Sequence, residues 1–114
     1  MHELTIIEQA VLELLPRGEQ RKRSASEIAP LLDLDKRDVQ SVVSKLIKKG
    51  IPVVAKRNGK YSERGYYIAT TEEERTKGLI SLKRQQKDTE ERIKLVEHAD
   101  LKNWENNLKR AVSE

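Results

Sequence analysis

Asp35-Lys36-Arg37-Asp38-Val39-Gln40-Ser41-Val42-Val43-Ser44-Lys45-Leu46-Ile47-Lys48-Lys49-Gly50 is the most regularly patterned stretch of the chain. Val39, Val42, Val43, Leu46 and Ile47 fall at i, i+3, i+4, i+7 and i+8, the spacing that lines up one face of an α-helix. Asp35 is suited to cap its first turn, Asp38 lies near the positive end of the helix dipole, and Gly50 stands where a helix ends. At about 100° per residue, the face opposite the apolar one carries Arg37, Ser41, Ser44 and Lys48, flanked by Gln40 and Lys45. Each of these side chains can donate a hydrogen bond.

Upstream, Leu4, Ile7, Val11, Leu14 and Leu15 recur at helical spacing until Pro16-Arg17-Gly18 stops the run. A polar, basic stretch, Glu19 to Arg23, leads to Ser24 and Glu27, which stand at capping-box spacing ahead of Ile28, Ala29, Leu31 and Leu32. This second helix is short, and Pro30 is expected in its first turn, where a missing N–H has no intrahelical partner to lose. Leu34 and Asp35 make the turn into the patterned helix. Downstream, Ile51 to Ala55 and Tyr66 to Ala69 read as strands. Asn58-Gly59 between them is a strong hairpin signal, because a type I′ turn needs φ > 0 at both central residues. The turn lies either there or in a longer connection reaching Gly65.

Thr71 and Glu74 form another capping-box pair and open a polar tail. From Glu72 to Val112 the one helix breaker is Gly78, so a helix of about 40 residues, roughly 60 Å long, is possible. That exceeds the width of the preceding module, so most of it cannot pack on its own core. The expected organisation is a globular module over residues 1–70 and a helical tail over 71–114. The fold class is mainly α with a small β-hairpin (α+β), three helices and a hairpin followed by a long C-terminal helix or helical hairpin.

Composition narrows the function classes. Of 114 residues 36% are hydrophobic, 37% are charged and none is Phe, which makes a large core or a deep ligand cavity hard to build. With no cysteine there are no disulfides, thiolate metal sites or cysteine nucleophiles, which fits a reducing compartment. The N-terminus lacks a basic region ahead of a long apolar run, and no stretch approaches the roughly 20 apolar residues of a membrane span. A cytoplasmic protein is expected, without membrane association. His2 and His98 are the sole histidines and cannot assemble a His-based triad or metal site. Glu72 to Glu74 sit where a helix N-terminus favours negative charge and read as caps. The scattered glycines form no phosphate-binding loop. Neither enzyme activity, metal nor cofactor is expected.

The net charge of +4 is unevenly placed: residues 71–114 carry ten basic and ten acidic side chains, so the surplus lies in residues 1–70. Residues 36–64 hold nine basic against two acidic side chains, or +7. A concentrated positive segment is the footprint of a polyanion partner, most often nucleic acid. Lys56, Arg57, Lys60 and Arg64 crowd into nine positions of the hairpin, where they repel one another unless a polyanion is near.

The order of elements is that of a winged helix-turn-helix, and residues 4–70 resemble the DNA-binding domain of biotin repressor-type winged-helix proteins. The resemblance rests on Ser26-Glu27-Ile28-Ala29, on Val39 and Val43 with Leu46, on Lys49-Gly50-Ile51 and on Gly65-Tyr66-Tyr67-Ile68. Where that family usually has a Gly between the motif helices, this chain has Leu32-Asp33-Leu34-Asp35. The family's ligand-binding domain has no counterpart here, so no biotin chemistry carries over. What the resemblance implies is a third helix in the major groove and a wing along the backbone or minor groove of double-stranded DNA. The candidate DNA contacts are Lys36, Arg37, Gln40, Ser41, Ser44, Lys45 and Lys48 on the helix, with Lys56, Arg57, Lys60 and Arg64 on the wing. Tyr66 and Tyr67 read as core cover, and Tyr61 could stack on bases.

In the tail, Ile93, Val96, Leu101, Trp104, Leu108 and Val112 recur near three- and four-residue steps. They are expected to form a homodimer interface resembling a coiled coil, or else to fold back as a helical hairpin. Small size and a Lys/Glu-rich tail resemble the short proteins of prophages and other mobile elements. Two functions remain open: a transcriptional regulator or DNA-metabolism accessory factor, and an adaptor that binds a protein partner.

Overall fold

A computed structural model describes residues 3–109, and their order is α1 (Ile6–Leu14), α2 (Ala25–Leu31), α3 (Lys36–Lys48), β1 (Val53–Lys56), β2 (Gly65–Ile68) and α4 (Glu72–Glu97). The described chain is mainly helical, with one small antiparallel sheet. It divides into two compact units, Met1–Leu82 and Lys83–Glu114.

Three reciprocal capping boxes set the phase of the first three helices. In each, the cap side chain accepts the N–H of the third helical residue, whose own carboxylate accepts the cap N–H: Thr5 with Glu8, Ser24 with Glu27 and Asp35 with Asp38. The pair at Thr5 turns Glu8 inward, so Glu8 is buried while Ile7, expected on the inner face, is half exposed. The cost of burying that carboxylate is offset by Lys49, whose Nζ donates to Glu8 Oε1 at 2.6 Å. Val11 of α1 and Leu15 at its C-terminal cap, Ile28 of α2 and Val39, Val43 and Leu46 of α3 meet in the core. Ile47, at the edge of the α3 stripe, stays half exposed.

Pro30 lies in the last turn of α2, not the first, so the N–H it lacks is one that would have bonded the Ser26 carbonyl a turn back, and the helix ends one residue beyond it. The chain then reverses through Asp33 at φ 54°, and the Leu34 N–H returns to the Ala29 carbonyl at 2.9 Å. That bond closes a Schellman-type stop with aspartate in the left-handed position more often held by glycine. Asp33→Gly is expected to leave stability unchanged or raise it by up to about 1 kcal/mol, whereas a β-branched Asp33→Val should lower it by about 1–2 kcal/mol. Urea denaturation of the two variants measures both. α3 stops in the same way with glycine: Gly50 has φ 94°, its N–H bonds the Ile47 carbonyl, and the Ile51 N–H bonds that of Leu46.

β1 and β2 pair in the register Val53 with Ile68 through Lys56 with Gly65. The other edge of β2 is also used, by the segment between α1 and α2: Gly18 donates to Ile68, and Arg23 and Tyr66 exchange both backbone bonds. The polar stretch Glu19 to Arg23 is therefore tied to the sheet, and Arg23 Nη1 additionally satisfies the Leu14 carbonyl at the end of α1. Gly78 allows α4 to close on β1, since a β-carbon there would stand 2.7 Å from that of Val54. The residue that reads as a helix breaker is thus a packing contact inside a continuous helix.

Candidate nucleic-acid interface

The core-facing stripe of α3 fixes what its opposite face presents. Lys36, Arg37, Gln40, Ser41, Ser44, Lys45 and Lys48 are all exposed, on a helix whose other side is locked by Val39, Val42, Val43 and Leu46. A rigid element holding polar donors toward solvent is a suitable platform for a site.

The hairpin brings a second set of cations to the N-terminal half of that helix. A cleft of about 310 Å³ is lined by Lys36 and Gln40 of α3, Ala55, Lys56, Arg57, Arg64, Gly65 and Tyr66 of the hairpin, and Ser24 and Ala25 at the start of α2. Four cations border it and none of its lining residues is acidic. Five of the eleven candidate contacts, Lys36, Gln40, Lys56, Arg57 and Arg64, thus share one concavity. Arg37, Ser41, Ser44, Lys45, Lys48 and Lys60 lie outside its lining, on exposed surface. The contribution of Ser24 was not foreseen, although its capping box marks the helix start that borders the cleft.

The connection between the strands is longer than a two-residue turn. Gly59 has φ 91°, but Asn58 does not have positive φ, so a type I′ turn is not formed. A 3-10 turn over Tyr61–Glu63 follows instead. Arg64 Nε donates to the Gly59 carbonyl at 3.0 Å, and Lys56 Nζ lies 3.5 Å from Glu63 Oε2. These contacts shape the tip and partly neutralise Lys56. Tyr61 stands exposed there, whereas Tyr67 is buried and Tyr66 packs against the core. Burial pushes both of the latter phenols above their ordinary value. A wider, open cleft of about 850 Å³ on the α1 side gathers Arg17, Arg21, Lys22 and Arg23, but Glu13, Glu27 and Glu63 line it as well, so it has little net charge.

Two carboxylates secure the frame of the site. Glu74, in the first turn of α4, accepts the N–H of Thr70 at 2.9 Å, that of Glu19 at 2.7 Å and the Thr70 hydroxyl at 2.8 Å. Its side chain is therefore spent on Thr70 and Glu19 instead of closing the expected box with Thr71, whose hydroxyl still accepts the Glu74 N–H. These donors, the Thr70 N–H first, hold the carboxyl at about 2 against an ordinary 4.5. Glu8 is also lowered, chiefly by the Lys49 hydrogen bond and then by the Thr5 N–H. A carboxylate whose folded pKa is depressed contributes stability above its unfolded pKa and loses it as pH falls through the folded one. Thermal stability is expected to decline between about pH 4.5 and 2, and Glu74→Gln should flatten that decline. A melting profile across that range checks it.

The tail candidates do not share one helix face. α4 ends at Glu97, so Ile93 and Val96 are helical, Leu101 lies in a turn, Trp104 in a 3-10 turn over Trp104–Asn107, and Leu108 beyond it. Asp100 gives the reason: its Oδ1 accepts the N–H groups of Lys102 and Asn103 at 3.1 and 3.0 Å, a local arrangement that competes with helix continuation. All five side chains are exposed; Val112, like His2, lies outside the described residues. Among the described residues no group of three His, Cys, Asp or Glu could hold a metal ion, and no helix is long and apolar enough to cross a membrane. No family model, curated protein or solved structure matches this chain.

Proposed function

We propose that this chain is a non-enzymatic, cytoplasmic winged-helix protein that binds double-stranded DNA, as a transcriptional regulator or an accessory factor of DNA metabolism. The observation that carries the reading is the cleft between α3 and the hairpin, where four cations and Gln40 meet without a lining carboxylate. A major groove about 12 Å wide admits one helix. In this reading the outer face of α3 enters it, while the hairpin cations lie against the adjacent phosphates. Arg37 and Gln40 suit base edges; Lys36, Arg57, Lys60 and Arg64 suit the backbone.

Binding to a nonspecific duplex should weaken steeply with salt, because each neutralised phosphate releases condensed counterions and adds about 0.9 to the slope of log affinity against log salt. A slope of at least about 3 is expected from the cleft cations alone. A slope near zero, or no binding at low salt, would sink the reading. It would favour the adaptor alternative, which the exposure of Leu95, Leu101, Trp104 and Leu108 in the tail supports.

A further inference from the structure

We propose that the pocket between β1, the end of α3 and the first turns of α4 binds a small carboxylate with a compact apolar body of about one ring, and that its anionic end competes with DNA for Arg57. The pocket rests on its own observations; the competition rests on the DNA reading. All of its lining residues belong to the unit Met1–Leu82. Its volume is about 100 Å³, which suits one small ring, since an apolar cavity of about 150 Å³ holds benzene. The buried Val53 and Val54 line it from β1, and Ile47 of α3 and Leu82 of α4, each about half exposed, line it from the two helices. An occupant therefore shields apolar surface that the chain itself leaves to water. Gly78 lines the same space: it brings α4 against Val54 and adds no side chain to fill the gap.

Polar groups in the wall select the charge of the occupant. Arg57 is the one charged residue among the described residues that line it. Its charge also reaches the Tyr66 phenol, countering part of the rise in pKa that burial causes there. The backbone supplies a second donor. Tyr66 exchanges both backbone bonds with Arg23, so Ala55, its partner in β1, stands in a non-hydrogen-bonded pair with it and directs its N–H to the outer edge of the sheet. Ala55 also lines the pocket. A guanidinium and an outward N–H beside an apolar wall suit a carboxylate, whose charge-assisted bonds are stronger than those of a neutral ligand. An ammonium would meet a cation instead. Ala55, Arg57 and Tyr66 line this pocket and also the cleft between α3 and the hairpin. Arg57 held by a bound carboxylate is lost to phosphate, and the opposition is reciprocal.

Benzoate, benzamide, benzylammonium and acetate are the probes, titrated into the full chain without DNA while backbone amide shifts are followed by NMR. Benzoate should produce saturable shifts at Ile47, Val54, Ala55, Leu79 and Leu82, with a Kd on the order of 1 mM for so small a ligand. Benzamide should bind several-fold more weakly, and benzylammonium and acetate should leave these signals in place. Arg57→Gln, at an exposed position, should abolish the preference for benzoate over benzamide. Ile47→Glu, which sets a carboxylate at the half-exposed edge, should weaken benzoate roughly tenfold or more. No saturable shift well above the expected Kd, or a benzoate preference that survives Arg57→Gln, overturns the site. So do equal shifts from acetate, which need only a surface cation, or benzoate binding untouched by Ile47→Glu. In a separate titration, benzoate should weaken duplex affinity several-fold against equimolar acetate, and an unchanged affinity overturns the competition. A chain that binds no duplex even without benzoate overturns the DNA reading and the competition with it, whereas the amide shifts still decide the pocket.

Discussion

Gly65→Ala should destabilise the N-terminal unit by about 3 kcal/mol or more, a large share of the 5–15 kcal/mol that holds a typical domain folded. Gly65 sits at φ 140°, a backbone conformation that side-chain-bearing residues rarely adopt, and such strain costs on the order of 1–3 kcal/mol. The new β-carbon would also stand 2.7 Å from the carbonyl carbon of Arg23 and 2.9 Å from its oxygen. These neighbours are backbone atoms, so no side chain can swing aside. Relief requires moving β2 away from Arg23, at the expense of the two hydrogen bonds between Arg23 and Tyr66. Overpacking of this kind adds about 1–3 kcal/mol. Urea denaturation gives the value, and a loss below about 1 kcal/mol would mean that the two segments are not held this closely. Because Gly65 lines the cleft, the variant should also weaken the DNA binding proposed for it.

The reach of sequence reasoning here follows the range of the interactions. α3 was legible to within a residue at each end, because its apolar period, its Asp35 cap and its Gly50 stop are all local. α1 was legible as a helix, with Leu4, Val11, Leu14 and Leu15 on its inner side, but Glu8 and not Ile7 is buried in its first turn, through a bond to Lys49, 41 residues away, which no local pattern records. The pairing of Arg17 and Arg23 with β2 uses backbone groups alone and leaves no side-chain signature. Asn58-Gly59 signals a tight turn, yet the Arg64 contact to Gly59 and the 3-10 turn after it produce a longer tip. In the tail, helix propensity runs on past Glu97, while a single side chain, Asp100, redirects the backbone. For the candidate site, the residue types and the two elements that carry them were readable. Which five of the eleven share a cleft was not, since that depends on how the hairpin leans toward α3.

The division of labour proposed for that surface gives the last expected result. Gln40 borders the cleft from α3, and a glutamine amide can pair bidentately with adenine, so Gln40→Ala should relax preference at one or two base pairs at a cost of roughly 1–3 kcal/mol on the preferred site alone. Arg57 and Lys60 belong to the hairpin, whose cations suit phosphates. Arg57→Ala combined with Lys60→Ala should therefore weaken binding to every sequence alike and lower the salt slope by about 2. The two patterns are separable in one experiment, in which each variant is taken through selection from a random duplex library and then titrated with salt on preferred and scrambled sites. Loss of preference without a change of slope is expected for Gln40→Ala, and the converse for the hairpin pair. If Gln40→Ala and Arg37→Ala both left the selected site unchanged, α3 would not be the reading helix. Whatever preference persisted would then have to come from the hairpin or from the shape of the duplex.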